Sequence, residues 1–200
     1  MYRLSPSLDK NIEQSTSEKV FSTSHNRVYR SLIKTDDFII TYHIDDEKML
    51  YFHDVENGSL IKTVKAPNGF WAFDLEYIDG TLYLLGSLGK AVIYKFNDRD
   101  STFSEIANEP SSSAFLSMKQ APDHSITIAG AVSWGGESRG KVLLKTPQNE
   151  DWVDMTCLMA NESGVVDIVY TSDSLFVYLL QHAGSIIRIK TSILKDYLGC

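Results

Sequence analysis

Cysteine, clustered positive charge and long apolar runs are all scarce in this 200-residue sequence, and each shortage removes a class of protein. Two cysteines, Cys157 and Cys200, with no second thiol near either, cannot make a disulfide framework or a zinc site. A single bridge between them is open. The favoured reading is a half-buried thiol at Cys157 and a free terminal thiol at Cys200. Lys and Arg total 19 against 26 Asp and Glu, for a net charge of −7. Binding a phosphate backbone relies on clustered cations, so nucleic acid is excluded as the main ligand. The longest apolar run, Leu175 to Leu180, falls far short of the roughly 20 residues that span a bilayer. No basic, apolar, small-residue leader opens the chain, so no membrane role is expected and a cytoplasmic or virion setting is. Asn57-Gly58-Ser59 and Asn161-Glu162-Ser163 match the glycosylation pattern but read as turn chemistry in that setting.

Helical spacing is also missing before Thr191, where Ile193 to Tyr197 suits a single turn. Residues 1–27, rich in Ser, Thr, Asn, Lys and Glu, read as a mobile N-terminal arm with one short candidate strand at Val20-Phe21-Ser22-Thr23. From residue 28 to 200 the chain has another character. Short β-branched and aromatic runs alternate with Asp, Asn, Gly, Ser and Pro about every ten residues, the rhythm of meandering hairpins.

The runs recur in register. After each polar turn a strand begins near Phe38, Leu82, Ile126 and Leu175, spaced by 44, 44 and 49. The next strand repeats at Leu50, Ile93, Leu143 and Ile187, spaced by 43, 50 and 44. The extra length falls in Ser133 to Gly140. Four units of this period, each with four short strands, predict an all-β, β-propeller-like domain of about four blades. One strand of each unit is almost continuously apolar, as in Leu82-Tyr83-Leu84-Leu85, which predicts middle strands covered on both faces.

Asp54 to Asn97 carries a resemblance. An acidic-x-x-x-Gly segment (Asp54 to Gly58) leads into Leu60 to Lys65, then Phe70-Trp71-Ala72-Phe73, Asp79-Gly80, Leu85-Gly86-Ser87 and Ala91 to Phe96. This resembles a degenerate WD repeat, with Asn57-Gly58 and Asn68-Gly69 suited to tight turns of positive φ. It has no Gly-His pair where a blade starts and no Trp-Asp pair closing a strand, so the family's buried tetrad is not assigned. The resemblance implies a propeller and says little about partners. Four units then either close as a small ring, with 20–23 as an outer strand of the last blade, or form part of a larger propeller, or meet another subunit. The last two together are favoured over the first.

Chemistry leaves few marks. His25, His43, His53, His124 and His182 are scattered and read as surface or strand-end residues. Asp45-Asp46-Glu47 and Asn97 to Ser101 lack the ligand order of a calcium loop and read as solvated turns. Gly86-Ser87-Leu88-Gly89-Lys90 leads into a strand and reads as a hairpin turn. No metal or other cofactor is expected, and no catalytic residue is assigned. The candidate partner-binding residues are Trp134, Glu137 and Arg139, on the segment that exceeds the repeat; an aromatic beside an arginine makes a good interface anchor. Trp71 and Trp152 read as core. The favoured function is a non-catalytic protein-interaction or scaffold module of an oligomer or larger complex. The alternative is an enzyme or carbohydrate-binding propeller with a site in the central channel, built without a local motif.

Overall fold

The computed structural model describes residues 29–43, 48–109, 112–131, 140–147, 149–159, 163–173 and 175–196. Among them are four antiparallel sheets, each a meander in which consecutive strands pair. Blade 1 holds β1 (Tyr29–Lys34), β2 (Phe38–His43), β3 (Met49–Asp54) and β4 (Leu60–Lys65). Blade 2 holds β5 (Trp71–Ile78), β6 (Thr81–Ser87), β7 (Ala91–Asn97) and β8 (Thr102–Glu109). Blade 3 holds β9 (Ala114–Gln120), β10 (Ile126–Ala131), β11 (Gly140–Thr146) and β12 (Asn149–Asp154), followed by a 3-10 turn at Thr156–Met159. Blade 4 has three strands, β13 (Val165–Tyr170), β14 (Phe176–Gln181) and β15 (Ile186–Lys190), and runs into α1 (Thr191–Asp196). The fold is all-β and propeller-like.

Turn chemistry sets the hairpins. Asp79 and Gly80 both have positive φ, the two-residue turn whose twist suits adjoining strands. Gly58 and Gly69 take positive φ where their Asn-Gly pairs predict it. Gly86 to Lys90 is the β6–β7 hairpin, with the Leu88 N–H donating to Lys90 O at 2.9 Å.

Apolar packing runs from blade to blade. One core joins blades 1 and 2, a second joins 2 and 3, and a third joins 3 and 4. The first strands β1, β5, β9 and β13 pack on one another in that order, which makes them the inner strands. Polar contacts cross the seams as well: Tyr42 Oη donates to Phe70 O at 3.3 Å between blades 1 and 2, Lys141 Nζ on β11 lies 3.3 Å from Glu109 Oε2 on β8, and Tyr170 on β13 shares a hydrogen bond with Thr127 on β10. Three seams serve four blades, and among the described residues no apolar core joins blade 4 to blade 1.

Several expectations are corrected. The anchors fall on or beside the second and third strands of every blade, but Leu143 and Ile187 are one residue out of register with Leu50 and Ile93. Leu50 and Ile93 pair with Tyr42 and Leu85, whose counterparts Ala129 and Leu180 pair with Val142 and Ile186. A slip of one residue exchanges the two faces of a strand. Trp71 is half exposed at the start of β5, beneath the Lys48 ammonium, rather than core; Trp152 does pack on the core between blades 2 and 3. The histidines lie as expected at strand ends or on the surface, His43 closing β2 and His53 one residue from the end of β3, both buried, and His124 and His182 exposed; His25 lies outside the described residues. Cys157 is disulfide-bonded and carries no free thiol. Cys200, the strand at 20–23, the rest of the arm and Asp45 to Glu47 lie outside the described residues.

Candidate functional site

Every inner strand carries one extra residue at the same place. Arg30, Phe73, Leu116 and Val166 have no opposite number on the neighbouring second strand. Such a bulge re-aims the side chain that follows it. That next residue is Ser31, Asp74, Ser117 and Asp167 in turn, so serine and aspartate alternate from blade to blade. Opposite the bulge, the backbones crowd. A Cβ on Gly86 would stand 1.9 Å from Trp71 O, and one on Gly130 would stand 2.1 Å from Ala114 O.

The alternating row is hydrogen-bonded in pairs. Ser31 Oγ donates to Asp74 Oδ1 at 3.2 Å, and Ser117 Oγ donates to Asp167 Oδ1 at 3.1 Å. Each carboxylate also accepts from the amide that follows it, Leu75 N–H at 2.9 Å and Ile168 N–H at 2.8 Å. Two positions beyond Asp74, Glu76 Oε2 accepts from Lys119 Nζ at 2.7 Å, tying β5 to β9.

Burial dominates the electrostatics here. It pushes the Asp74 carboxyl up to about 6, with the nearby Glu76 charge adding to it and Lys119, the Leu75 amide and Ser31 opposing it. Glu76 is likewise raised by burial, against the hydrogen bond and charge of Lys119 and with the charge of Asp167. Burial alone would lower Lys119, but the hydrogen bond to Glu76 and the charges of Glu76, Asp74 and Asp167 hold it above its usual value. A carboxyl that titrates near 6 beside a hydroxyl and an ammonium can hold or pass a proton close to neutral pH. No group of His, Cys, Asp and Glu among the described residues could hold a metal ion. A pocket of about 150 Å³ between blades 1 and 2, lined by Phe38, Ile40, Phe52, Leu82 and Phe96, is below the roughly 300–1,000 Å³ of ordinary ligand clefts.

A second feature follows from the same register. Behind each row residue, the second and third strands supply a pair that faces the next blade: Tyr42 with Leu50, Leu85 with Ile93, Ala129 with Val142, Leu180 with Ile186. The first three pairs are buried under the following blade. The fourth is open, with Leu180 39% and Ile186 65% exposed, and Val169 beside them is 56% exposed. Arg188, over the Phe176 ring at 4.8 Å, shares this face.

Sequence reasoning pointed to Trp134, Glu137 and Arg139, which lie outside the described residues, between the paired ends Ala131 and Gly140. It missed the axial row. The signal was a small polar residue after the first apolar positions of each unit, spaced by 43, 43 and 50.

No family model and no curated protein matches the chain. Solved structures do. The computationally designed protein Ika4 superposes with a TM-score of 0.59 at 9% identity, over 87% of this chain and 98% of that one. A candidate 6-phosphogluconolactonase from Bacteroides uniformis superposes with a TM-score of 0.56 at 16% identity, over 80% of this chain. The match spans 52% of that structure, so the chain covers about half its length. At these identities the likeness is one of fold. No helix among the described residues is long and apolar enough to cross a membrane.

Proposed function

We propose that the chain is a non-catalytic protein-interaction module, an arc of WD-like blades that holds a protein partner against the open face of its last blade. The observation that carries this is the exposure of Leu180 and Ile186 at a position whose three counterparts are buried under a neighbouring blade. Bare apolar surface of this kind marks a contact surface. Trp134, Glu137 and Arg139 supply a second contact from the β10–β11 connection. The test places a photo-crosslinking residue at position 186 in the full chain, in its native host. A discrete protein adduct that disappears when Val169 is replaced by Glu is expected; absence of any adduct would overturn the reading.

One observation favours a second reading, a proton-transfer site at the axis. Asp74, titrating near 6 between Ser31 and Lys119, is the kind of group that catalysis uses. The Bacteroides uniformis neighbour makes a phosphorylated sugar lactone the first substrate to offer. Turnover that is lost in Asp74→Asn would support this reading, and no turnover would remove it.

A further inference from the structure

The arc has two ends, and their exposed residues are complementary. On every blade, the residue two places after the bulge on the inner strand faces the preceding blade: Leu75, Met118 and Ile168 are buried there, against the pairs described above. Their counterpart on blade 1 is Leu32, one residue before Ile33 on the same strand, and it is 62% exposed. Farther along the same row on blade 1, Thr41 is buried, so the opening is confined to the axial end. Among the described residues, blade 4 thus lacks the side chain that would fill its Leu180–Ile186 pair, and blade 1 lacks the pair that would receive its Leu32.

The geometry points to a second copy of this chain as the occupant: Leu32 of each copy seats on Leu180 and Ile186 of the other, and two copies close head to tail into a ring of eight blades. This rests on the interaction-module reading and names its partner. Leu32 repeats the inner-strand contact of the three internal seams, while Thr41, buried and hydroxylic, stands where Leu84, Ile128 and Leu179 stand on the other blades. Val169 of one copy meets Ile33 of the other at the position that Glu76 and Lys119 occupy between blades 2 and 3. The axial alternation also continues unbroken, with Ser31 of one copy following Asp167 of the other. A two-fold arrangement satisfies both junctions at once, because the residues that one copy offers the other receives in return.

The test is the solution mass of the full chain by sedimentation, alone and in mixtures. The wild type is expected at twice the 22.5 kDa of one chain. Leu32→Glu and Ile186→Glu each place a charge at both junctions of a self-pair, and each is expected at the mass of one chain, with dimer affinity weakened at least about tenfold. Both positions are exposed, so circular dichroism should show each variant folded. Mixing the two variants in equal amounts restores one junction between intact surfaces and should return the doubled mass. A wild type at the mass of one chain, or a mixture that stays there, overturns the second-copy proposal. If the wild type is a single chain yet position 186 still yields its adduct, the interaction reading survives with another partner. If neither is seen, both fail.

Discussion

Lys119 Nζ stands 2.7 Å from Glu76 Oε2, and through this contact the inner strands of blades 2 and 3 share a charge. The balance is uneven. Lys119 has three carboxylates around it, whereas Glu76 has one lysine to set against its own burial and the charge of Asp167. Asp74 belongs to the same group and carries the larger share of the imbalance.

That imbalance makes stability depend on pH. The Asp74 carboxyl rises from 3.8 to about 6 in the folded chain, so the folded state keeps this proton where the unfolded state has lost it. Stability from this group falls as pH rises from about 4 to about 6 and then levels off, by at most about 3 kcal/mol. Asp74→Asn should melt above the wild type at pH 7.5 and level with it at pH 3.5. Thermal melts at the two pH values decide the matter; a variant that melts lower at both would show that the carboxylate's hydrogen bonds outweigh its burial.

Gly86 and Gly80 separate two reasons for glycine. At Gly86 an added methyl would meet the Trp71 carbonyl, backbone that cannot step aside, and Gly86→Ala should cost about 3 kcal/mol or more. At Gly80 there is open space but φ is +76, and Gly80→Ala should cost about 1 kcal/mol. Urea unfolding of both variants gives the order, and the reverse order would sink the close approach.

On the β10–β11 connection, Trp134→Ala should leave unfolding free energy nearly unchanged while weakening partner binding at least about tenfold, with Arg139→Ala weakening it less. A several-kcal/mol loss of stability with affinity intact would make Trp134 a packing residue.

The rhythm of this fold was legible because turn residues and apolar second strands announce themselves locally. Its faces were not. Leu143 and Ile187 match Leu50 and Ile93 in type but not in direction, and one residue of slip is invisible where both faces of a strand are apolar. The Ser31, Asp74, Ser117, Asp167 row was hidden for a related reason: a bulge precedes each member and breaks the two-residue alternation by which a strand is read. The run from Leu175 to Leu180 reads as a strand covered on both sides, yet in the folded chain Val177 and Leu179 are buried while Leu175 and Leu180 are not. There the residues describe a neighbour that is not among the described residues. Trp71 misled because it sits at a strand end, where an aromatic can lie under a lysine instead of in the core.

The three seams also shape how the chain comes apart. Each blade touches its neighbours in sequence, so cohesion is passed along a line instead of being held in one centre. Among the described residues, apolar cores grip blades 2 and 3 from both sides and blades 1 and 4 from one. In a chain separated from its copy, heat or denaturant therefore loosens the arc from its ends, and the charged junction of Glu76 with Lys119 lies at the middle, where it is the last to open.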